Sequence, residues 1–197
     1  MATNAKTAEK ASNVPRLKVL YKETMVAELQ KELDLKNPHQ VPKLQKITVS
    51  VGIGKNKDDK RHYDAVLTTL QKITGQQPVD RMAKKSIATF KIRAGMNRVG
   101  ISVTLREARM YEFLDRFVNV AMPRIRDFHG ISPKSFDRRG NYSIGINDQS
   151  IFPELTFEDT QVLHGLQITL TIDSASATHS RLLLEKFGMP FEKGDTR

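Results

Sequence analysis

Apolar side chains recur along this chain with two periods. Leu17, Tyr21, Met25, Leu29 and Leu33 stand at helical spacing, and the pattern stops before Asn37-Pro38, where proline biases the preceding residue out of the helical region. A second stripe, Tyr63, Val66, Leu67, Leu70 and Ile73, follows Asp58-Asp59, whose carboxylates suit a helix N-terminus and its dipole, and it ends at Gly75. A third runs through Met110, Phe113, Leu114, Phe117, Val118 and Ala121 to Pro123. A last one carries Leu182, Leu183 and Phe187, with Gly188 and Pro190 as stop signals.

Between these stripes the period falls to two. Ile47, Val49, Val51 and Ile53, then Val99, Ile101, Val103 and Leu105, then Leu166, Ile168, Leu170 and Ile172 alternate strictly, and each set predicts a half-buried strand. A looser strand, Ser86 to Arg93, is expected just before the second, the pair forming a hairpin around Ala94 to Arg98. The elements together predict an α+β fold: a largely antiparallel sheet with helices packed on one face, an open polar face and a long basic hairpin. Residues 1–14, rich in Ala, Lys, Thr, Ser and Asn, read as a disordered tail, and residues 15–197 as a single domain.

The predicted open face carries Lys46, Thr48, Ser50 and Gly52, then Gly100, Ser102, Thr104 and Arg106, then Gln167, Thr169 and Thr171. A solvated sheet face ordinarily shows many Lys and Glu. Hydroxyls and glycine instead let another polar molecule approach closely, which points to docking, although strand propensity alone accounts for Thr and Ser equally well.

Charge favours docking. The 197-residue chain has a net charge of +10, unevenly placed: residues 81–139 hold 14 Lys+Arg against 5 Asp+Glu, while residues 140–197 hold 4 against 8. Residues 81–106 contain seven bases and no acid. Such a field favours a polyanion, either nucleic acid or an anionic membrane. Lysines and arginines at this density neutralise phosphates and position a nucleic acid without reading its sequence. Lys91 and Arg93 are expected on one side of the hairpin, with Lys84 and Lys85 guarding the approach. Phe90 is expected in the core, although an exposed Phe or Met near the tip would be placed to stack on a base or sugar.

Catalysis has little behind it. Gly52-Ile53-Gly54 begins like a dinucleotide loop, but Lys57 stands where the third glycine would fall, so no nucleotide cofactor is expected. The five histidines (His39, His62, His129, His164 and His179) lack metal-ligand spacing and are read as structural or solvated; cysteine is absent, so no thiolate zinc site exists. No GxSxG elbow or paired carboxylate is recognisable. No apolar run approaches the ~20 residues of a membrane span, so the chain reads as soluble and cytoplasmic. Met122 to Leu155 has too many Gly, Pro and Asn for a regular element, yet its Phe, Ile and Tyr anchors predict an ordered, basic binding loop. An RNA-modifying enzyme would need a carboxylate cluster beside the basic loop, and a membrane-surface protein a basic amphipathic helix.

RIRDF (Arg124 to Phe128), KSFD (Lys134 to Asp137), RGNY (Arg139 to Tyr142) and IFPE (Ile151 to Glu154), preceded by TLR (Thr104 to Arg106) and KKS…FKIR (Lys84 to Arg93), resemble the family of bacterial large-subunit ribosomal protein number five, in the right order from about Pro15 to Phe191. The resemblance implies a non-catalytic RNA-binding domain of the central protuberance that holds 5S ribosomal RNA on the large subunit and touches large-subunit ribosomal RNA. The family's open face meets 5S RNA through an Asn, a Gln and a Thr. The matching positions here are Ser50, Gln76 and Thr104, so Ser50 departs from the pattern, and Lys46, Thr48, Ser102 and Arg106 share the face. The family's hairpin loop implies contact with peptidyl-site transfer RNA through Lys84, Lys85, Ser86, Thr89, Lys91 and Arg93. The segment Asp148 to His164 corresponds to a bridge facing small-subunit head protein number thirteen. Two further departures are a tip, Met96 to Val99, one residue longer than usual and lacking its Pro, and Arg138 where a Gly is usual.

Overall fold

A computed structural model describes residues 14–54 and 59–192. Five antiparallel strands, β1 (Lys43–Gly52), β2 (Val79–Met82), β3 (Arg98–Leu105), β4 (Tyr142–Ile146) and β5 (Leu166–Asp173), form one sheet in the order β2-β3-β1-β5-β4. The expected disordered tail lies outside the described residues except for the exposed Val14.

Alternation places the faces as expected. Ile47, Val49 and Val51 of β1, Ile101, Val103 and Leu105 of β3 and Leu166, Ile168, Leu170 and Ile172 of β5 are all buried in one cluster with the helices. The first helix is α1 (Arg16–Leu20), a π-helical turn Tyr21–Met25 and α2 (Val26–Glu32). Its buried residues come every four positions, a spacing that drifts about 40° per step on a regular helix; the wider π turn absorbs part of that drift and keeps Leu17, Tyr21, Met25 and Leu29 facing the sheet. Helix α3 (Lys60–Thr74) starts at Asp59, whose carboxylate accepts from the amides of Arg61 and His62, and stops at Gly75. Asp58, the other expected cap, lies outside the described residues. Helix α4 (Glu107–Arg116) continues through a second π turn, Phe117–Ala121, and α5 (Ala177–Lys186) is capped by Ser176.

Two expectations are corrected. The strand before β3 is Val79–Met82, not Ser86 to Arg93. Within 86–93 the only pairing among the described residues is between Ile87 and Ile92, which bond to each other across a turn at Lys91 (φ 51) rather than to β3, so the alternation of Lys91 and Arg93 does not arise. The long connection 83–97 is closed at its base by Ala83 and Asn97. The second correction lies in Met122 to Leu155: instead of lacking regular structure throughout, this stretch contributes β4 as an edge strand.

β4 is held by an aromatic cluster. Tyr142 is 1% exposed, packs on Phe136 and Phe191 with ring centroids 4.7 and 5.7 Å away, and donates its hydroxyl to the Ser132 carbonyl at 2.9 Å. Burial pushes its phenol up to about 12. Beside it, the Asp137 carboxylate accepts from the side chain and amide of Asn141 and the amide of Arg139, which hold it below the usual carboxylate range. Gly140 (φ 77) is required there, since a Cβ would lie 2.5 Å from the Ser180 hydroxyl. Arg138 is absent from the left-handed residues, so the side chain in place of the family's glycine is tolerated.

Candidate nucleic-acid interface

The strand registers place the polar positions in rows. Val79, Ser102, Ser50, Gln167 and Gly145 are successive cross-strand partners, as are Thr104, Thr48, Thr169 and Ser143, and Lys46 stands opposite Thr171. Gly100 allows β3 and β1 to lie close, because a Cβ there would meet the Val51 carbonyl oxygen at 2.9 Å. The rows are low and mostly neutral, with Lys46, Thr48, Ser50, Thr104, Thr169 and Thr171 half-buried and Gln167 and Gly145 exposed. A flat nucleic-acid surface therefore meets hydroxyls and backbone rather than long side chains that must first be ordered.

The expected contact residues are not equivalent. Gln76, in the turn after α3, donates its amide to the Thr104 carbonyl at 3.3 Å, which brings two positions distant in sequence to one corner of the face. Ser50 lies in the central strand between Ser102 and Gln167. Ser102 is only 4% exposed, and its hydroxyl accepts from Arg81 Nε at 2.6 Å, so the guanidinium forms the surface there. Arg106, exposed, precedes α4 at the end of the sheet. β4 adds Ser143 and Gly145, which sequence reasoning missed, although Tyr142, Ile144 and Ile146 alternate as a strand should. Ser143 extends the hydroxyl row, 3.3 Å from Thr169.

Beside the β2 edge stands the loop 83–97. Lys84, Lys85, Thr89, Lys91 and Arg93 are exposed. Lys84, Lys85 and Arg93 enter no ion pair among the described residues, so their charge is available to an anion. Ser86, also exposed, uses its hydroxyl to accept from the Ala94 amide at 3.0 Å and thereby shapes the loop. Phe90 is 66% exposed and Met96 73%, so the expected core position of Phe90 is overturned: the bond between Ile87 and Ile92 turns the loop tip outward.

A third region has the opposite charge. Residues 140–180 contain no Lys or Arg. Within them 148–164 is closed by the fully buried Gln149, which donates to the Val162 carbonyl and accepts from the His164 amide. Ion pairs from Lys72 to Asp159 and from Arg116 to Glu154 fasten it to α3 and α4. Hydrogen bonds from Lys72 and Thr156 bring the Asp159 carboxyl down to about 2. Phe157, 84% exposed, projects from it. Among the described residues no group of three or more His, Cys, Asp or Glu could hold a metal ion, and no helix is long and apolar enough to cross a membrane.

Comparison with known proteins decides the family. Residues 37–93 match "Ribosomal protein L5", and residues 98–191 match the C-terminus of the same ribosomal family. The chain belongs to the ribosomal protein L5 family. The large ribosomal subunit protein uL5 of Prochlorococcus marinus is 51% identical over 177 residues, which cover 90% of this chain and 98% of that protein. Those of Synechocystis sp. and Dichelobacter nodosus are 51% and 49% identical over 176 residues, 89% of this chain and 97% and 98% of theirs. As an L5 protein the chain is a structural, non-enzymatic constituent of the large subunit of the cytoplasmic ribosome. Within this L5 sheet, β1 from the first matched segment pairs with β3 and β5 from the second.

Proposed function

We propose that the open sheet face carries 5S ribosomal RNA, that the loop 83–97 contacts the backbone of peptidyl-site transfer RNA, and that 148–164 meets small-subunit head protein number thirteen. The observation that carries the reading is the two-sided sheet: every helix packs on the apolar face, leaving small hydroxyl, glycine and amide groups outward on the other. Ser50, Gln76 and Thr104 position 5S RNA, with Lys46, Thr48, Arg106 and the Arg81–Ser102 pair around them. Lys84, Lys85, Lys91 and Arg93 neutralise phosphates of transfer RNA, helped by Thr89 and by the loop shape that Ser86 maintains. Further large-subunit ribosomal RNA meets the molecule at its basic middle region. The absence of Lys and Arg from 140–180 supports a basic protein rather than RNA as the partner of the third region.

Filter binding at several salt concentrations tests the division of labour. Replacing Lys84, Lys85, Lys91 and Arg93 with Ala weakens transfer RNA binding more than 5S RNA binding, and each lost phosphate contact flattens the log-log salt dependence by roughly 0.7 to 0.9. Thr104→Ala and Gln76→Ala do the reverse. Equal effects of both sets on both RNAs would refute the assignment. For the bridge, Phe157→Ala lowers affinity for the purified head protein about tenfold in a titration, as an exposed aromatic anchor should; an unchanged affinity removes this segment from the contact.

A further inference from the structure

Between the basic loop and the start of β5 lies a cavity of about 770 Å³, within the ~300–1,000 Å³ typical of small-ligand pockets. His62 and His164 line it, 8% and 7% exposed, with ring centroids 6.4 Å apart. His62 Nδ1 and His164 Nε2 are buried with no hydrogen-bond partner among the described residues. Phe90 and Leu163, each 66% exposed, form its rim. Gly52 and Gly54 form part of its wall. Neither has a left-handed φ, and a Cβ on either would meet nothing within 4 Å, so packing within the described protein gives no reason for glycine and the effect of both is to keep the cavity open.

We infer that this cavity takes one unpaired nucleobase extruded from a single-stranded stretch of RNA, with Phe90 as the stacking face and the two imidazoles as hydrogen-bonding groups. The inference rests on the reading of loop 83–97 as an RNA contact. A base has a flat apolar face and a polar edge, and the cavity offers the complement of both. His164 Nδ1 lies 3.2 Å from the Val162 carbonyl, which makes it the protonated nitrogen and leaves Nε2 an acceptor for an exocyclic amine. Burial first, and then the neighbouring His62, hold the His164 imidazole below its ordinary value, so it is neutral near pH 7. An apolar side chain from a protein partner would leave both nitrogens unsatisfied. The loop that supplies Phe90 also carries Lys84, Lys85, Lys91 and Arg93, which suit the phosphates on either side of an extruded base.

The test is an anisotropy titration of the full-length protein with a labelled adenylate RNA decamer and with a decamer of abasic ribose phosphates of equal charge. The adenylate decamer binds roughly tenfold more tightly, the fold-change expected of one stacked base. That ratio falls toward one in Phe90→Ala, which changes only an exposed side chain, and in Gly54→Val, which fills the cavity. Equal affinities in the unaltered protein, the result for a cavity serving an apolar side chain or for a loop that binds phosphate alone, overturn the inference while leaving the loop an RNA contact. A preference undiminished in both variants also overturns it. Binding of neither decamer sinks the loop reading and this one together.

Discussion

Replacing Thr48 and Ser50 with Glu lowers affinity for 5S ribosomal RNA on the order of a hundredfold, while the thermal midpoint stays within a few degrees. Both residues sit in the central strand on the face away from the core, partnered with Thr104 and Thr169 and with Ser102 and Gln167. Neither side chain makes a hydrogen bond with another side chain among the described residues, so little folding energy depends on either. Against RNA the effect is different in kind. Two carboxylates would stand at the middle of a surface proposed to lie against phosphates, and like charges brought together at an interface cost several kcal/mol. Their length would also hold a flat partner away from the neighbouring hydroxyls. A filter-binding titration beside a melting curve separates the outcomes: unchanged 5S affinity in a folded protein would remove this face from the interface.

Tyr142→Ala costs about 3–5 kcal/mol of stability in urea unfolding, the range for a buried aromatic truncated to alanine. The ring is the hub between Phe136 and Phe191, and its removal opens a cavity where β4 meets the C-terminal chain. The Ser132 carbonyl would also lose the hydroxyl that donates to it. Tyr142→Phe keeps the packing and loses only that bond, so about 1 kcal/mol is expected. If both variants cost the same small amount, the cluster does not anchor the edge strand. Because β4 supplies Ser143 and Gly145, the alanine variant also weakens RNA binding at temperatures where the rest of the sheet survives.

The contrast between β1 and the basic loop explains what was legible in advance. Ile47, Val49 and Val51 alternate with Thr48, Ser50 and Gly52, and a one-residue slip would turn all the apolar groups to water, so the facing of the strand follows from composition. Ser86 to Arg93 has only Ile87, Phe90 and Ile92 as bulky groups, and these do not alternate, so local pattern could not choose between a strand and a folded loop. The choice fell to contacts distant in sequence: Val79–Met82 takes the place beside β3, and Ile87 finds Ile92 instead. β4 was hidden for another reason. Its alternation spans five residues, Tyr142 to Ile146, amid glycines and asparagines that signal turns, and it becomes a strand through pairing with β5 and burial of Tyr142.

Sequence alone established the α+β class, the two-sided sheet, the concentration of positive charge in the middle of the chain and the family, because burial periodicity, net charge and ordered motifs are properties of the string of residues. Tertiary structure alone decided which strand borders β3, that Gln76 meets Thr104, that Ser102 lies beneath Arg81, and that His62 and His164 share a cavity with Phe90. Each of those facts joins residues far apart along the chain. Such contacts form only when the whole apolar face is buried at once, so no local window of sequence contains the energy that selects them.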